Sequence, residues 1–422
     1  MNVRRRVFWR IVSWGTRALY RTFSLFPRRF QVAFLSRRDA EPTLDFRLLA
    51  DALQRRLPGV RVRYACYRDS DVADAEKTII RYEGTLAQIW LAATSQVCVL
   101  DGYTPAVSIP HKREFPVTVQ IWHALGTVKK FGWQSVGTPA GRTRDQAEEL
   151  RMHRNYDLVV AGGPGTRQAY AEAFDVPLDH VEAIGLPRID YLLATDGLAA
   201  ELREAGRRSV LARYPELAGE RLTIVYAPTF RKHDGLCSPL PGFVDTLVGT
   251  LPADVYDVVV AWHPADENGG APYPSGGVTF VRGTRNVDLL GVADYVITDY
   301  SSVAWEAALL RKRVLFYVPD IDDYRTSPGL NVDPEAEFGS ICFRRPEDVA
   351  AFIERDRRGD VYAASGFWDF AADYLGDVDG RCSERIADRV AELVAAEFRR
   401  GQGRSNVDGT GKYASRNLAM AR

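Results

Sequence analysis

The sequence predicts an α/β protein with two Rossmann-like domains that face each other across a cleft. Two stretches of the chain, residues 30–198 and 199–400, each alternate short apolar strands with helical patterns. Alternation at this pitch is typical of parallel sheets with crossover helices. A length of 422 residues suffices for two such domains, each with its own core.

The strands of each domain are short apolar runs bounded by turn residues or by helical segments. In the first domain the helical run "DFRLLADALQRRL" ends before Pro58-Gly59, a pair that stops helices. A polar helical segment, "GLAAELREAGRRSVLARYPEL", leads into the second domain. Residues 401–422 are rich in Gly, Ser and Asn, which predicts a disordered tail. The predicted strands of the first domain are "QVAFLS", "VRVRYACY", "VCVLDG", "VTVQIWH" and "YDLVVAGG", and "HVEAIGLPRIDYLL" closes it with a strand and turn. Those of the second domain are "LTIVYAPTF", "DVVVAWHP", "VTFVRG", "DYVIT" and "VLFYVP".

The composition argues against several classes of protein. A hydrophobic content of 46% and a charged content of 26%, with zero formal net charge, are ordinary for a globular chain. The five cysteines form no C-x-x-C pair, so we predict neither a disulfide framework nor a zinc site, and we expect a reducing compartment. The chain shows no 18-residue apolar stretch and no secretory signal.

The first 29 residues are basic and rich in aromatic side chains. Ten arginines and no acidic residue occur in residues 1–38, and they alternate with large apolar residues such as Phe8, Ile11 and Trp14. This pattern is typical of an amphipathic helix that lies on an anionic membrane surface, which is the interpretation we favour. The alternative is a basic first helix packed against its own domain.

Ligands of open α/β sheets bind beyond the carboxyl ends of the strands, so polar residues that follow predicted strands are the candidate site residues. Each has a purely structural alternative: a strand-end histidine is often a satisfied polar group, and a glycine-rich run is often a plain turn. Several such residues in one chain favour function. They are His123, Gly162-Gly163-Pro164-Gly165-Thr166, Thr229-Phe230-Arg231, His263-Pro264 and Asp299-Tyr300-Ser301-Ser302.

The stretch "DYVITDYSSVAWEAALLRKR" has the highest density of candidate groups. The predicted strand is followed by Asp299 and two serines, and a helix begins directly after them. The free amides of the first helical turn and the serine hydroxyls predict a phosphate site. Ser302 and Glu306 are four residues apart on one helix face, which leaves Glu306 to accept hydrogen bonds from a sugar diol. The alternative is that Asp299 or a serine serves only as an N-cap.

The expected phosphate cations are Arg231, Lys129 and Lys130. The sequence has no Walker motif, no D-x-D and no carboxylate cluster with metal spacing, which favours metal-independent chemistry.

With these residues assembled, the chain resembles the CDP-glycerol glycerophosphotransferase family of teichoic acid primases and polymerases. The resemblance covers roughly residues 115–330, and it is carried by "QIWHALGTVKKFG", "GLPRIDYL", "YAPTFR", the "HP" at 263–264, "DLLGVADYVITDYSSVAWEAAL" and "FYVPDIDDY". Three places depart from the family pattern: Ala124 replaces a glycine, Trp305-Glu306 stands where Phe-Asp is commoner, and "SPGLNVD" follows Tyr324.

The resemblance implies a GT-B fold whose second domain binds the donor nucleotide and whose first domain binds the acceptor. It also implies peripheral attachment to the cytoplasmic face of the cell membrane. By the family pattern, the general base is His123, and His263 is grouped with it as catalytic. The implied donor contacts are Arg231, His263, Asp299, Ser301, Ser302 and Glu306, and the expected acceptor or phosphate contacts are Lys129, Lys130, Gly163 and Gly165.

We therefore predict transfer of a polyol phosphate, glycerol phosphate first among candidates, from a CDP-activated donor to a hydroxyl of a lipid-linked acceptor. CMP leaves, no cofactor or metal is expected, and the product belongs to a teichoic-acid-like cell-wall or capsule polymer. One alternative is a GT-B glycosyltransferase that uses a nucleotide sugar. Another is a non-catalytic, membrane-associated assembly factor. Binding of nucleic acid is not expected.

Overall fold

The computed structural model describes residues 3–69, 75–111, 116–229, 242–261 and 277–408, and it contains two parallel sheets. The first sheet has six strands in the order β2-β1-β3-β4-β5-β6, all parallel. The inner strands are buried on both faces and read as apolar runs, whereas the edge strand β2 is largely exposed and alternates. Their bounds are β1 Arg29–Ser36, β2 Arg61–Cys66, β3 Ser95–Leu100, β4 Val117–Gln120, β5 Leu158–Val160 and β6 Val181–Glu182.

The second sheet also has six parallel strands, in the order β12-β11-β10-β7-β8-β9. Counted from its own first strand, this is the order 3-2-1-4-5-6 of dinucleotide-binding sheets, whereas the first sheet follows the order 2-1-3-4-5 before its last strand. The bounds are β7 Leu222–Tyr226, β8 Tyr256–Ala261, β9 Val278–Val281, β10 Tyr295–Thr298, β11 Arg313–Tyr317 and β12 Cys342–Phe343.

Helices connect the strands and cover the sheets. Helix α2 follows the rules that predicted it, because Thr43 caps its first turn and the helix stops ahead of Pro58. The helices are α1 Val3–Phe23, α2 Leu44–Arg56, α3 Ala75–Thr94, α4 Pro105–Ser108, α5 Arg144–Glu149, α6 Arg167–Phe174, α7 Pro187–Leu193, α8 Gly197–Arg213, α9 Phe243–Thr250, α10 Asn286–Leu289, α11 Val303–Leu309, α12 Ile321–Thr326, α13 Pro334–Glu337, α14 Pro346–Gly359, α15 Phe367–Leu375 and α16 Cys382–Asp408.

The last helix ties the two domains together. Helix α16 follows α15 of the second domain and packs against α2 of the first. The buried carboxylate of Asp190 accepts hydrogen bonds from the amides of Cys382 at 2.6 Å and Ser383 at 2.8 Å, so a first-domain side chain satisfies the start of this helix. Helix α16 continues through Asp408, into the segment predicted from sequence to be disordered, and residues 409–422 lie outside the described part of the chain.

The two domains share one apolar core. It runs from Val32 and Phe46 of the first domain through Leu125 to Trp305 and Phe367 of the second. No helix in the described part of the chain is long and apolar enough to cross a membrane.

Candidate active site

His123 stands three residues beyond the last paired residue of its strand, not at the strand end as the sequence suggested. Strand β4 stops at Gln120 because Trp122 adopts a positive φ of 53°, which a strand cannot contain. The amide of Trp122 donates to Oε1 of Gln120 at 2.9 Å, and its indole lies 4.1 Å from the imidazole of His123 and 4.8 Å from the ring of Phe131. A bulky residue with this backbone is strained, and such strain is found where a neighbouring group must be aimed.

The imidazole of His123 is set up to act as a base. Its Nδ1 lies 2.8 Å from the backbone carbonyl of Asp101, and a carbonyl only accepts, so Nδ1 carries the proton and Nε2 keeps its lone pair. Burial, together with the nearby charges of Arg38, Arg188 and Lys129, holds the pKa of His123 well below its usual value. The ring is therefore neutral at physiological pH and able to take a proton.

Asp101 follows β3 beside His123 and links the ends of two strands. Its Oδ2 accepts a hydrogen bond of 2.8 Å from the hydroxyl of Ser36, the last residue of β1. Burial raises the pKa of Asp101 to about 6, against the opposing attraction of Arg38. The strand-end rule that selects His123 selects Asp101 equally well, and Asp101 is an addition to the predicted site residues.

The loop after His123 is fastened to the second domain. A Cβ at Gly126 would lie 2.1 Å from the Trp305 indole, so only glycine allows this approach. The amide of Lys130 donates to the carbonyl of Gly329 at 2.9 Å, and the side-chain amide of Asn331 donates to the carbonyl of Lys129 at 3.1 Å. The unusual "SPGLNVD" segment is thus a partner of the loop that carries both predicted lysines.

Ala124 does not disturb this loop. Its carbonyl accepts a hydrogen bond of 2.5 Å from the hydroxyl of Tyr170, and its φ is not among the positive values. The residue that takes the left-handed conformation is its neighbour Trp122. An alanine is therefore compatible with this backbone.

The glycine-rich run lies at the junction between the domains. A Cβ at Gly163 would meet the backbone of Leu375 at 2.3 Å, and one at Gly165 would meet the ring of Tyr374 at 2.2 Å. These glycines permit close packing against α15. Their predicted contact with acceptor or phosphate stays a prediction.

The Asp299-Tyr300-Ser301-Ser302 segment has the strand-turn-helix form that the sequence indicated. Asp299 is buried, and its carboxylate accepts from the amide of Thr229 at 3.0 Å and from the Thr229 hydroxyl at 2.6 Å. It therefore joins the ends of β7 and β10, between which the strand order of the second sheet reverses. Asp299 organises this edge, while Ser301 and Ser302, both half-buried, precede α11.

Glu306 has a protein partner that spacing alone could not reveal. Its Oε1 lies 2.7 Å from Nη1 of Arg188, and the same guanidinium binds the buried carboxylate of Asp45 through Nε at 3.1 Å. Burial raises the pKa of Glu306 although Arg188 opposes the shift. Arg188 belongs to the quoted "GLPRIDYL" motif but was not singled out. The predicted ribose contact of Glu306 stays a prediction.

The structure brings the two sides of the candidate site together. Gly126, three residues after His123, contacts Trp305, three residues after Ser302. Three residues of extended chain span at most about 11 Å, so this contact places His123 and Ser302 on either side of one junction, no more than roughly 26 Å apart. Arg231 and His263 lie outside the described residues. Within the described residues, no cluster of three His, Cys, Asp or Glu side chains could hold a metal ion.

Comparison with known proteins gives the family. The family described as CDP-Glycerol:Poly(glycerophosphate) glycerophosphotransferase matches residues 18–392 of the chain. The chain belongs to this family. The predicted family and the predicted class of transferase are thereby confirmed.

Two relatives in the family are primases of teichoic acid synthesis. The chain is 29% identical over 309 residues to the teichoic acid ribitol-phosphate primase of Bacillus spizizenii, covering 72% of this chain and 77% of that one. It is also 29% identical over 245 residues to the teichoic acid glycerol-phosphate primase of Bacillus subtilis, covering 57% and 60%. The chain is thus similar to enzymes named for two different polyols.

Solved structures support the fold. The wall teichoic acid polymerase TagF superposes with a TM-score of 0.68 at 17% identity, covering 93% of this chain and 98% of that chain. A variant of TagF soaked with CDPG gives the same TM-score at 16% identity. The predicted GT-B arrangement of two α/β domains is confirmed.

Proposed function

We propose that the protein transfers a polyol phosphate from a CDP-activated polyol to a hydroxyl group of a membrane-linked acceptor. The observation that carries this proposal is the neutral His123, whose Nε2 keeps its lone pair, in a loop that packs through Gly126 on Trp305 of the helix that follows Ser301 and Ser302. Family membership supplies the class of donor. The acceptor and its anchor are inferred from the chemistry below.

In the proposed reaction His123 acts as the general base. Nε2 takes the proton of the acceptor hydroxyl as its oxygen attacks the phosphorus that carries the polyol. A new phosphoester bond forms, the diphosphate P–O bond breaks, and CMP leaves with the electron pair. Such base catalysis is usually worth about 10² to 10⁴ in rate.

The other side of the cleft would hold the donor diphosphate. Helix α11 has only seven residues, so its dipole is small, and the amides of its first turn already donate to Ser301 and Ser302. The hydroxyls of the two serines are therefore the stronger contribution. Arg231 and His263 are expected to add positive charge there. No metal is needed in this scheme.

The test is release of CMP by the purified protein with a panel of donors: CDP-glycerol, CDP-ribitol and a UDP-sugar. We expect CMP from a CDP-polyol and no UDP from the sugar nucleotide. UDP release would favour the glycosyltransferase alternative, and inactivity with every donor would favour a non-catalytic role. Both CDP-polyols are included because the two primases above are named for different polyols.

Helix α1 supports attachment to a membrane surface. It turns small and polar residues, Ser13 and Thr16, towards the protein, while Ile11 and Trp14 are 63% and 73% exposed. Helix α3 packs beside it and presents further exposed apolar side chains, Ile79 and Leu86 among them. Apolar residues exposed beside arginines suit an anionic bilayer at the cytoplasmic face of the cell membrane.

Vesicle sedimentation tests this attachment. The double substitution Ile11→Glu with Trp14→Glu changes only exposed side chains and should release the protein from vesicles rich in anionic lipid. Leu178→Glu, on a different element and 44% exposed, is the matched control and should sediment like the unaltered protein. Undiminished sedimentation of the double variant contradicts the proposal.

A further inference from the structure

Arg38 occupies the position in the first sheet where a ligand is expected. It lies two residues beyond the end of β1, and the strand order of the sheet reverses between β1 and β3. Ligands of open parallel sheets bind beyond the carboxyl ends of strands at such a reversal. The hydrogen bond between Ser36 and Asp101 spans this point, and the next strand, β4, leads to His123.

The guanidinium of Arg38 is not matched by the protein. In the described part of the chain, no side chain or carbonyl forms a hydrogen bond or ion pair with it, although solvent reaches the side chain. Its neighbour Arg37, in contrast, donates from Nε to the Tyr67 hydroxyl at 3.0 Å and pairs with Asp69. The guanidinium of Arg37 is therefore held by protein side chains, whereas that of Arg38 is not.

The acids around Arg38 are engaged elsewhere or too far to pair. Asp39, Asp45 and Asp101 are within electrostatic range, but the Asp45 carboxylate binds Arg188 and Oδ2 of Asp101 accepts from Ser36. Desolvation lowers the pKa of Arg38 in spite of these acids. Arg38 itself is exposed to solvent, so its guanidinium is open to an anionic ligand that would pair with it directly.

We propose that Arg38 binds a phosphate group of the acceptor, next to the hydroxyl that His123 deprotonates, and so selects an acceptor that ends in a polyol phosphate over one that ends in a neutral sugar. This inference rests on the proposed function. The acceptor is favoured over the donor because Arg38 and His123 belong to the same sheet edge, whereas the expected donor contacts Ser301 and Ser302 lie on the opposite side of the cleft.

The geometry also explains why an arginine suits this role. Cδ of Arg38 lies 3.8 Å from where a Cβ of Gly102 would stand, next to Asp101, whose carbonyl binds Nδ1 of His123. A phosphate bound to Arg38 would therefore lie at the same strand ends as the base. A guanidinium can bind two phosphate oxygens at once and thereby orient the attached hydroxyl. Orientation of the attacking group lowers the barrier because the entropic cost of bringing the reacting atoms together is met on binding.

The experiment compares two soluble acceptors that share one alkyl chain, the first ending in glycerol phosphate and the second in a neutral disaccharide. With a saturating CDP-polyol, Arg38→Ala should raise the KM for the phosphate-bearing acceptor by roughly 10- to 100-fold, the usual value of a charged hydrogen-bonded contact. The KM for the donor and the KM for the neutral acceptor should not change. Arg38→Lys should restore part of the loss, and Arg37→Ala is the matched control.

Each other outcome overturns the inference. An increase in the KM for the donor would assign the contact to the donor diphosphate, and an equal loss with both acceptors would mean a structural role. If the unaltered protein transferred to the neutral acceptor and not to the phosphate-bearing one, Arg38 would not bind an acceptor phosphate. If the unaltered protein releases no CMP from any CDP-polyol, the proposed function fails first and this inference with it.

Discussion

The two sides of the cleft hold their functional groups in different ways. On the first-domain side, His123 is fixed by a backbone carbonyl at Nδ1 and by the neighbouring indole of the strained Trp122, whose ring is tilted by 30° against the imidazole. On the second-domain side, Ser301 and Ser302 are placed by the backbone, which the buried Asp299 organises through Thr229. The first side sets the protonation state of one ring, while the second sets the position of neutral hydroxyls and amides.

This difference follows from the chemistry expected of each side. A base must be neutral, aimed and close to cations that keep it unprotonated, so it requires side-chain contacts on several faces. A diphosphate cradle requires preorganised donors, which a backbone turn supplies without mobile side chains. Substitutions should therefore have large and specific effects on the first side and smaller, shared effects on the second.

The substitution His123→Asn should have the largest effect and is the strongest test of the difference between the two sides. The asparagine amide can still donate to the Asp101 carbonyl but offers no base, so kcat should fall by about 10² to 10⁴ without loss of folding. The measurement is the rate of CMP release at saturating donor, with thermal unfolding as the folding check. His180→Asn is the matched control, because His180 is an exposed histidine on the short helical turn Leu178–His180, without ring contact to Trp122 or His123 in the described part of the chain. Equal losses in the two variants would remove His123 from its role.

The link between the two sides can be tested at Arg188. This side chain bridges Asp45 of the first domain and Glu306 of the second, and both carboxylates are buried. Arg188→Gln leaves two buried acids without their cation, which should lower the free energy of unfolding by about 3–5 kcal/mol. Denaturant titration measures the change.

Arg325→Gln provides the contrast for this test. Arg325 also contacts several acids, namely Asp322, Asp333 and Glu335, but the network is exposed. Solvent screens such pairs, so its loss should change the unfolding free energy far less. If the free energy of unfolding changed equally in Arg188→Gln and Arg325→Gln, the buried ion pairs of Arg188 would contribute no more than exposed ones and would not join the domains.

The sequence predicted the β/α order because apolar runs and turn residues are local signals. The same rule found His123 and Ser302, which follow strands. It could not find the partner of Glu306, because Arg188 is 118 residues away and only the closed fold brings the two together. Arg38 was counted among the arginines of a basic N-terminal run, and only its lack of a partner in three dimensions separates it from Arg37.

A third prediction concerns the pH dependence of the first-domain side. The pKa of His123 is well below its usual value, so this ring stays neutral as pH falls, whereas Asp101, with a pKa of about 6, takes up a proton first. Protonation of Asp101 leaves the charges of Arg38 and Lys129 less opposed near the base. We therefore expect kcat/KM to be flat from pH 8 to 7 and to fall several-fold near pH 6.

Asp101→Asn separates the two groups. The asparagine keeps an acceptor for the Ser36 hydroxyl and keeps the backbone carbonyl that binds His123, but it does not titrate. In this variant kcat/KM should no longer fall near pH 6, and it should decrease only at lower pH. If kcat/KM of the variant still falls near pH 6, a group other than Asp101 causes the fall.

The smallest expected effect lies where the two sides touch. Trp305 is fully buried against Tyr374, with ring centroids 4.2 Å apart, and its indole Nε1 has no hydrogen-bond partner among the described residues. Trp305→Phe removes this unsatisfied donor, a gain of about 1–3 kcal/mol, but also loses packing against Gly126, so the unfolding free energy should change by no more than about 1 kcal/mol.

Tyr374→Phe removes fewer atoms from the same ring stack and should cost more. The Tyr374 hydroxyl accepts from the amide of Thr127 at 3.3 Å, so its loss leaves a buried amide without a partner, at about 1–2 kcal/mol. Denaturant titration of the two variants ranks them directly. If Trp305→Phe proved the more damaging, the indole N–H would have to be satisfied in solution, and the contact between the domains would be polar rather than a close apolar fit.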